Sequence, residues 1–157
     1  MLVGAGAQTE SQIGQILQQA VKPLKIDIKF RQEDTSTEFN DIGKRKYQLA
    51  FSYWTMDIAD PDELVTFAID PAGGADSFYT GYHNPKAVAL SHQAQREQNV
   101  AKRAQLYSQI QAITAQDAFL GFMYYSPFRY AYSDKVKGFH VNPLGQYHLE
   151  DVSLTGG

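Results

Sequence analysis

Eight consecutive residues, Tyr47-Gln-Leu-Ala-Phe-Ser-Tyr-Trp54, are apolar at nearly every position and run through Thr55, Met56 and Asp57 into Asp60-Pro-Asp-Glu63. A continuous apolar run of this length fits a central strand covered on both faces. The segment after it reads as a helix start: Asp60 as N-cap, Pro61 in the first turn, and Asp62 and Glu63 where the helix dipole favours acids. A buried strand emptying into a carboxylate-rich helix start points to an α/β fold, and in such folds ligands bind beyond the carboxyl ends of the strands.

The flanking segments support that class. From Gln8 to Lys22 the apolar residues Ile13, Ile16, Leu17, Ala20 and Val21 follow helical spacing, Thr9 and Gln12 are placed like a capping box, and Pro23 ends the run. Ile26, Ile28 and Phe30 alternate with Asp27, Lys29 and Arg31, the period of a half-buried strand, so strand, helix and strand suggest a βαβ unit. Leu2-Val3 reads as the tail of a strand whose beginning lies upstream, and the chain is expected to be a piece of something longer. Thr35 to Lys44 is a short polar helix with Phe39 and Ile42 facing inward. Pro71 to Asp76 is a loop, and Asn84-Pro85 is another helix-start signature. Helices are expected over Pro85–Glu97 and Val100–Asp117, their short junction implying antiparallel packing, with Leu106, Ile110 and Ile113 on one stripe of the second. Phe119–Tyr125 and Arg129–Tyr132 read as strands, and Asn142-Pro-Leu-Gly145 as a turn.

With 157 residues, 43% of them hydrophobic, the chain can bury one substantial core. A net charge of -3 and fourteen scattered Lys and Arg make nucleic acid a poor partner. No window reaches the apolar length that crosses a bilayer. The absence of cysteine excludes disulfides, thiolate metal sites and cysteine nucleophiles.

Asp57 has no evident capping duty. It can receive an ammonium by charge-assisted hydrogen bonds, or fold back onto nearby backbone amides. Trp54 can wall a ligand or fill the core. Asp60, Asp62 and Glu63 could form a metal site or a glycosidase-like acid pair, but helix capping accounts for them more simply. The four histidines, His83, His92, His140 and His148, form no His-x-x-x-His pair and carry no metal or catalytic assignment, and no cofactor motif is present. The aromatic clusters Phe78–Tyr82 and Phe119–Tyr132 suit a cleft or an interface.

Five segments in order resemble the extracellular solute-binding proteins of dipeptide and oligopeptide ABC importers, family 5. Trp54-Thr-Met-Asp-Ile-Ala-Asp-Pro-Asp62 is similar to the family's Trp-x-x-Asp-x-x-Asp-Pro-Asp, and Gly81-Tyr-His-Asn-Pro85 to its Gly-Tyr-x-Asn-Pro. Lys102-Arg-Ala-x-Leu-Tyr107, Val136-Lys-Gly-Phe139 with Asn142-Pro-Leu-Gly145, and Glu150-Asp-Val-Ser153 match its late segments. The resemblance implies a periplasmic binding protein-like II fold of α/β class: residues 1–126 as a second-lobe mixed sheet flanked by helices, and 127–157 as a hinge crossing and tail returning to a first lobe. It implies a binding function without catalysis, on the periplasmic or extracellular face, with a membrane permease and a missing N-terminal lobe as partners. Trp54, Thr55, Met56 and Asp57 would line the cleft, Asp57 holding the ammonium of a peptide or other amine-bearing solute. Where dipeptide binders place a basic residue for the peptide carboxylate, Gly4-Ala-Gly-Ala7 has only small side chains, so the resemblance does not carry a strict dipeptide ligand. A carboxylate-dependent hydrolase and a non-catalytic interaction domain are the alternative readings.

Overall fold

In the computed structural model, residues 1–74 and 77–156 are described, so residues 75 and 76 of the expected Pro71–Asp76 loop lie outside the described residues. A βαβ unit opens the chain: β1 (Leu2–Gly4), α1 (Gln8–Val21), a 3-10 turn over Lys22–Leu24, and β2 (Arg31–Glu33) parallel to β1 in the register Leu2↔Arg31. Leu2 also bridges Ala50 in parallel, its N–H donating to the Leu49 carbonyl at 2.8 Å, so β1 lies between β2 and Ala50. Leu2 and Val3 are buried, as the middle of a sheet requires.

The strand expected over Ile26–Phe30 is shifted: the ladder starts at Arg31, because pairing can run only opposite the three residues of β1. Ile28 is buried, but Ile26 and Phe30 are exposed. The same limit acts on Tyr47–Trp54. The continuous central strand expected there is reduced to the single bridge at Ala50, and Tyr53 is 76% exposed. A strand is held by its neighbours, and none among the described residues runs beside 51–54.

The N-terminus of α1 is not closed by the expected capping box: the N-cap is Ala7, without a side-chain bond, and Thr9 falls inside the first turn. Ile13, Leu17 and Val21 are half-buried, whereas Ile16 and Ala20 are exposed. Gly14 is the buried residue of this face, because a Cβ there would lie 2.7 Å from the Phe30 ring. The next helix, α2 (Thr35–Gly43), is capped by Asp34, which accepts from the Ser36 and Thr37 N–H groups. It buries Ile42 as expected but leaves Phe39 exposed, and its buried Asp41 is paired with Arg31 and Lys46 instead.

The core lies among α3 (Pro61–Ile69), α4 (Pro85–Arg96) and α5 (Val100–Asp117). On α4, Ala87, Ser91 and Ala94 are fully buried, and these small side chains let α4 and α5 approach closely over Leu106, Tyr107 and Ile110. Both helices match the sequence reading within a residue.

Neither expected strand between Phe119 and Tyr132 is present. Residues 121–133 carry no regular secondary structure and are exposed, with Phe122, Tyr124, Tyr125 and Tyr132 all more than half accessible, since no sheet edge among the described residues pairs with them. Beyond them, β3 (Val136–Lys137) pairs with β6 (Ser153–Leu154), and β4 (His140–Val141) with β5 (Tyr147–His148) through the expected Asn142–Gly145 turn. Gly145 takes φ +81° with the Phe128 ring against it, a position without room for a side chain. Among the described residues no helix is long and apolar enough to cross a membrane.

Candidate ligand-binding site

The loop from Trp54 to Asp60 is held by one carboxylate. Glu63, in the first turn of α3, accepts from the Trp54 Nε1–H at 2.9 Å, from the Asp57 N–H at 3.0 Å and from the Ile58 N–H at 2.9 Å. The Ile58 bond leads in holding its carboxyl below the usual carboxylate range, against desolvation and with help from Asp57 and Trp54. Trp54 packs on Phe67 at 4.7 Å between ring centroids and edge-on against Phe78 at 5.7 Å. Phe78 reaches that contact from a left-handed backbone (φ 56°), shared with Tyr79 (φ 62°) and rare for bulky residues. Trp54 is therefore half-buried and satisfied on both its ring and its N–H.

Asp57 differs from every other acid of the loop. Its N–H is spent on Glu63 and its carbonyl lies 3.4 Å from Gln146 Nε2, but its carboxylate is exposed and has no partner among the described residues. It is not folded onto local amides. Thr55 beside it is exposed and Met56 half-buried, so the four expected residues lie side by side at the surface. The surface hollows lined by Val3, Gln15 and Phe30, and by Glu97, Lys102 and Leu106, do not include residues 54–57.

The remaining acids have structural work. Asp60 caps α3 through the Asp62 N–H at 2.8 Å and accepts both Arg103 Nη groups at 2.8 Å, the Arg103 bond being the main cause that lowers its pKa. Arg103 also donates to the Tyr107 hydroxyl, which donates to Asp62 at 3.1 Å; burial first, then Asp62, pushes Tyr107 up to about 12. The Asp-Pro-Asp and Arg-x-x-x-Tyr motifs thus bond to each other. The Tyr82 hydroxyl and Asn84 Nδ2 both donate to Asp117 at the end of α5, while Asn84 caps α4 and Tyr82 stacks on Phe119 at 3.9 Å. Spacing alone does not reveal Glu63 as a clasp, or Arg103 and Asp117 as anchors, because the partners Trp54, Asp60 and Tyr82 lie 9, 43 and 35 residues away.

His92 meets Asp70 at 2.6 Å, joining α4 to the end of α3. Burial raises the Asp70 pKa, but bonds from His92 and the Ala72 N–H outweigh it, so the carboxyl titrates below its ordinary 3.8. A depressed folded pKa means the contribution is complete above 3.8 and is lost as pH falls through the lower folded value. Asp70→Asn is expected to flatten that acid limb: in urea unfolding followed from about pH 6 to 2, the gap between wild type and variant narrows below about pH 4. A gap independent of pH would exclude this linkage. Among the described residues no group of three His, Asp or Glu donors is placed to hold a metal.

No family model matches the chain. Over 131 residues, 81% of its length, it is 29% identical to the probable D,D-dipeptide-binding periplasmic protein DdpA of Escherichia coli K12. It is also 29% identical over 110 residues, 69% of its length, to a dipeptide-binding protein of the same organism. To the oligopeptide-binding protein OppA of Bacillus subtilis 168 it is 22% identical over 131 residues, 83% of its length. The chain resembles the C-terminal portion of family 5 solute-binding proteins. It spans about a quarter of these relatives, 25%, 21% and 24% of their respective lengths. Its fold matches HbpA2 from Haemophilus parasuis with a TM-score of 0.67 at 22% identity, over 91% of this chain and 28% of that one, so the expected α/β, periplasmic binding protein-like fold holds. The relatives are named as binding proteins, not enzymes.

Proposed function

We propose that this chain is the C-terminal part of the substrate-binding component of a peptide- or oligopeptide-type ABC importer, on the periplasmic or outer face of the membrane. In this reading residues 1–126 form the second-lobe side of an interlobe cleft and 127–157 return to a first lobe, whose sheet would cover the exposed 121–135 segment. Asp57 carries the ammonium of an amine-bearing solute, with Trp54, Thr55 and Met56 beside it. The observation that supports this most is the unpaired, outward carboxylate of Asp57 on a loop clamped by Glu63. A charged group kept free while its backbone is fixed is preorganised for a cation. The proposal is for binding, not catalysis: Asp60 and Asp62 are committed to Arg103 and Tyr107, which leaves Asp57 without the second carboxylate that hydrolysis needs.

The test is calorimetry on the full-length protein with a panel of short peptides, each offered with a free and an acetylated N-terminus. Acetylation is expected to weaken binding at least tenfold, since it removes the charge that Asp57 receives. Equal affinity for both forms would overturn the reading.

A further inference from the structure

The hairpin of β4 and β5 sets His140 directly opposite His148, with ring centroids 5.2 Å apart and planes 8° from parallel. Carrying that register outward places Gly138 opposite Glu150, and both are used. His140 Nδ1 lies 3.1 Å from the Gly138 carbonyl oxygen, and His148 Nδ1 lies 2.9 Å from Glu150 Oε1. An acceptor at each Nδ1 fixes the proton there and leaves the Nε2 lone pair free, the tautomer a metal-binding imidazole needs. The two Nδ1 atoms turn toward the same end of the ladder, so the two Nε2 atoms are presented together. We propose that His140 and His148 form a two-imidazole site for a divalent transition ion of the Zn²⁺, Ni²⁺ or Cu²⁺ class.

Directly opposed residues of an antiparallel pair have Cβ atoms about 4.5–5.5 Å apart, within reach of two metal–nitrogen bonds of about 2.0–2.1 Å. The rings must turn out of parallel for their lone pairs to converge, and His148, 44% exposed at its side chain, can do so with Glu150, 67% exposed, following its Nδ1. The turn beneath them is already rigid, because Asn142 Oδ1 accepts from both the Leu144 and Gln146 N–H groups. With two protein donors the other coordination positions go to water or to a donor on a second molecule. Imidazole nitrogen selects Zn²⁺, Ni²⁺ and Cu²⁺ over Mg²⁺ and Ca²⁺, which take oxygen. The hairpin meets the Asp57 loop through Gln146 Nε2, 3.4 Å from the Asp57 carbonyl, but metal binding by the two imidazoles does not depend on what the cleft binds.

Titrating Zn²⁺ and Ni²⁺ calorimetrically into the full-length protein should show a micromolar site that Mg²⁺ does not fill. His140→Ala and His148→Ala should each weaken it at least tenfold, Glu150→Gln by about tenfold, and His92→Ala not at all. Imidazole ¹⁵N spectra should show Zn²⁺ moving the Nε2 signals of His140 and His148 together. Unchanged affinity in the double His140→Ala, His148→Ala variant, shifts confined to other histidines, or no binding at millimolar metal would each overturn the site.

Discussion

Asp57→Asn is expected to lower affinity for an amine-bearing solute by about 10- to 150-fold, on the order of 1.5–3 kcal/mol, the worth of a hydrogen bond to a charged group. The unfolding midpoint should not move. The carboxylate is exposed and bonded to nothing among the described residues, and the groups that hold the loop are the Asp57 backbone N–H and Glu63, which the substitution leaves in place. Asparagine keeps the size and one acceptor oxygen, so the loss isolates the charge. Calorimetry with one free-amine peptide, run beside urea unfolding of both proteins, separates the outcomes. Unchanged affinity would remove Asp57 from the site, whereas a loss matched by an equal fall in stability would mean the side chain supports the loop.

The elements that could be read from sequence are those whose signals are local. The cap at Asp60, the Asn84-Pro85 start and the spacing of Leu106 and Ile110 each describe a helix that forms its own hydrogen bonds, and α3, α4 and α5 appear where these residues place them. Strands depend on partners far along the chain. Tyr47–Trp54 and Phe119–Tyr132 carry strand-like composition, yet β1 offers only three residues to pair with and 119–132 find no edge among the described residues, so neither segment became a ladder. Trp54 to Asp57 stand together because the four residues are contiguous. The clasp around them was not legible in the sequence, since Glu63 reads as an ordinary first-turn acid until its side chain is seen to turn back toward Trp54, Asp57 and Ile58. Trp54 packs on Phe67 and Phe78 and stays half-exposed.

Arg103→Ala is expected to destabilise the fold by about 2–3 kcal/mol, with Asp60 and Tyr107 as the partners left behind. The guanidinium makes two parallel bonds to Asp60 at 2.8 Å, one to the Tyr107 hydroxyl at 2.8 Å and one to the Ala94 carbonyl at 3.1 Å, tying the start of α3 to both other core helices. Losing one partner of a fully buried ion pair costs about 3–5 kcal/mol. Here Asp60 is 37% exposed at its side chain and Arg103 26%, so water re-solvates part of what is lost and the figure falls below that range. Arg103→Lys should recover less than half, because one ammonium cannot span both Asp60 oxygens and also reach Tyr107. A double-mutant cycle of Arg103→Ala with Asp60→Asn, read by urea unfolding, should give a coupling of about 1–2 kcal/mol. A coupling near zero would reduce the pair to an ordinary surface contact. Because Asp60 is also the N-cap of the helix that carries Glu63, Arg103→Ala should weaken solute binding as well, by loosening the loop that aims Asp57, and that loss should be smaller than the one from Asp57→Asn.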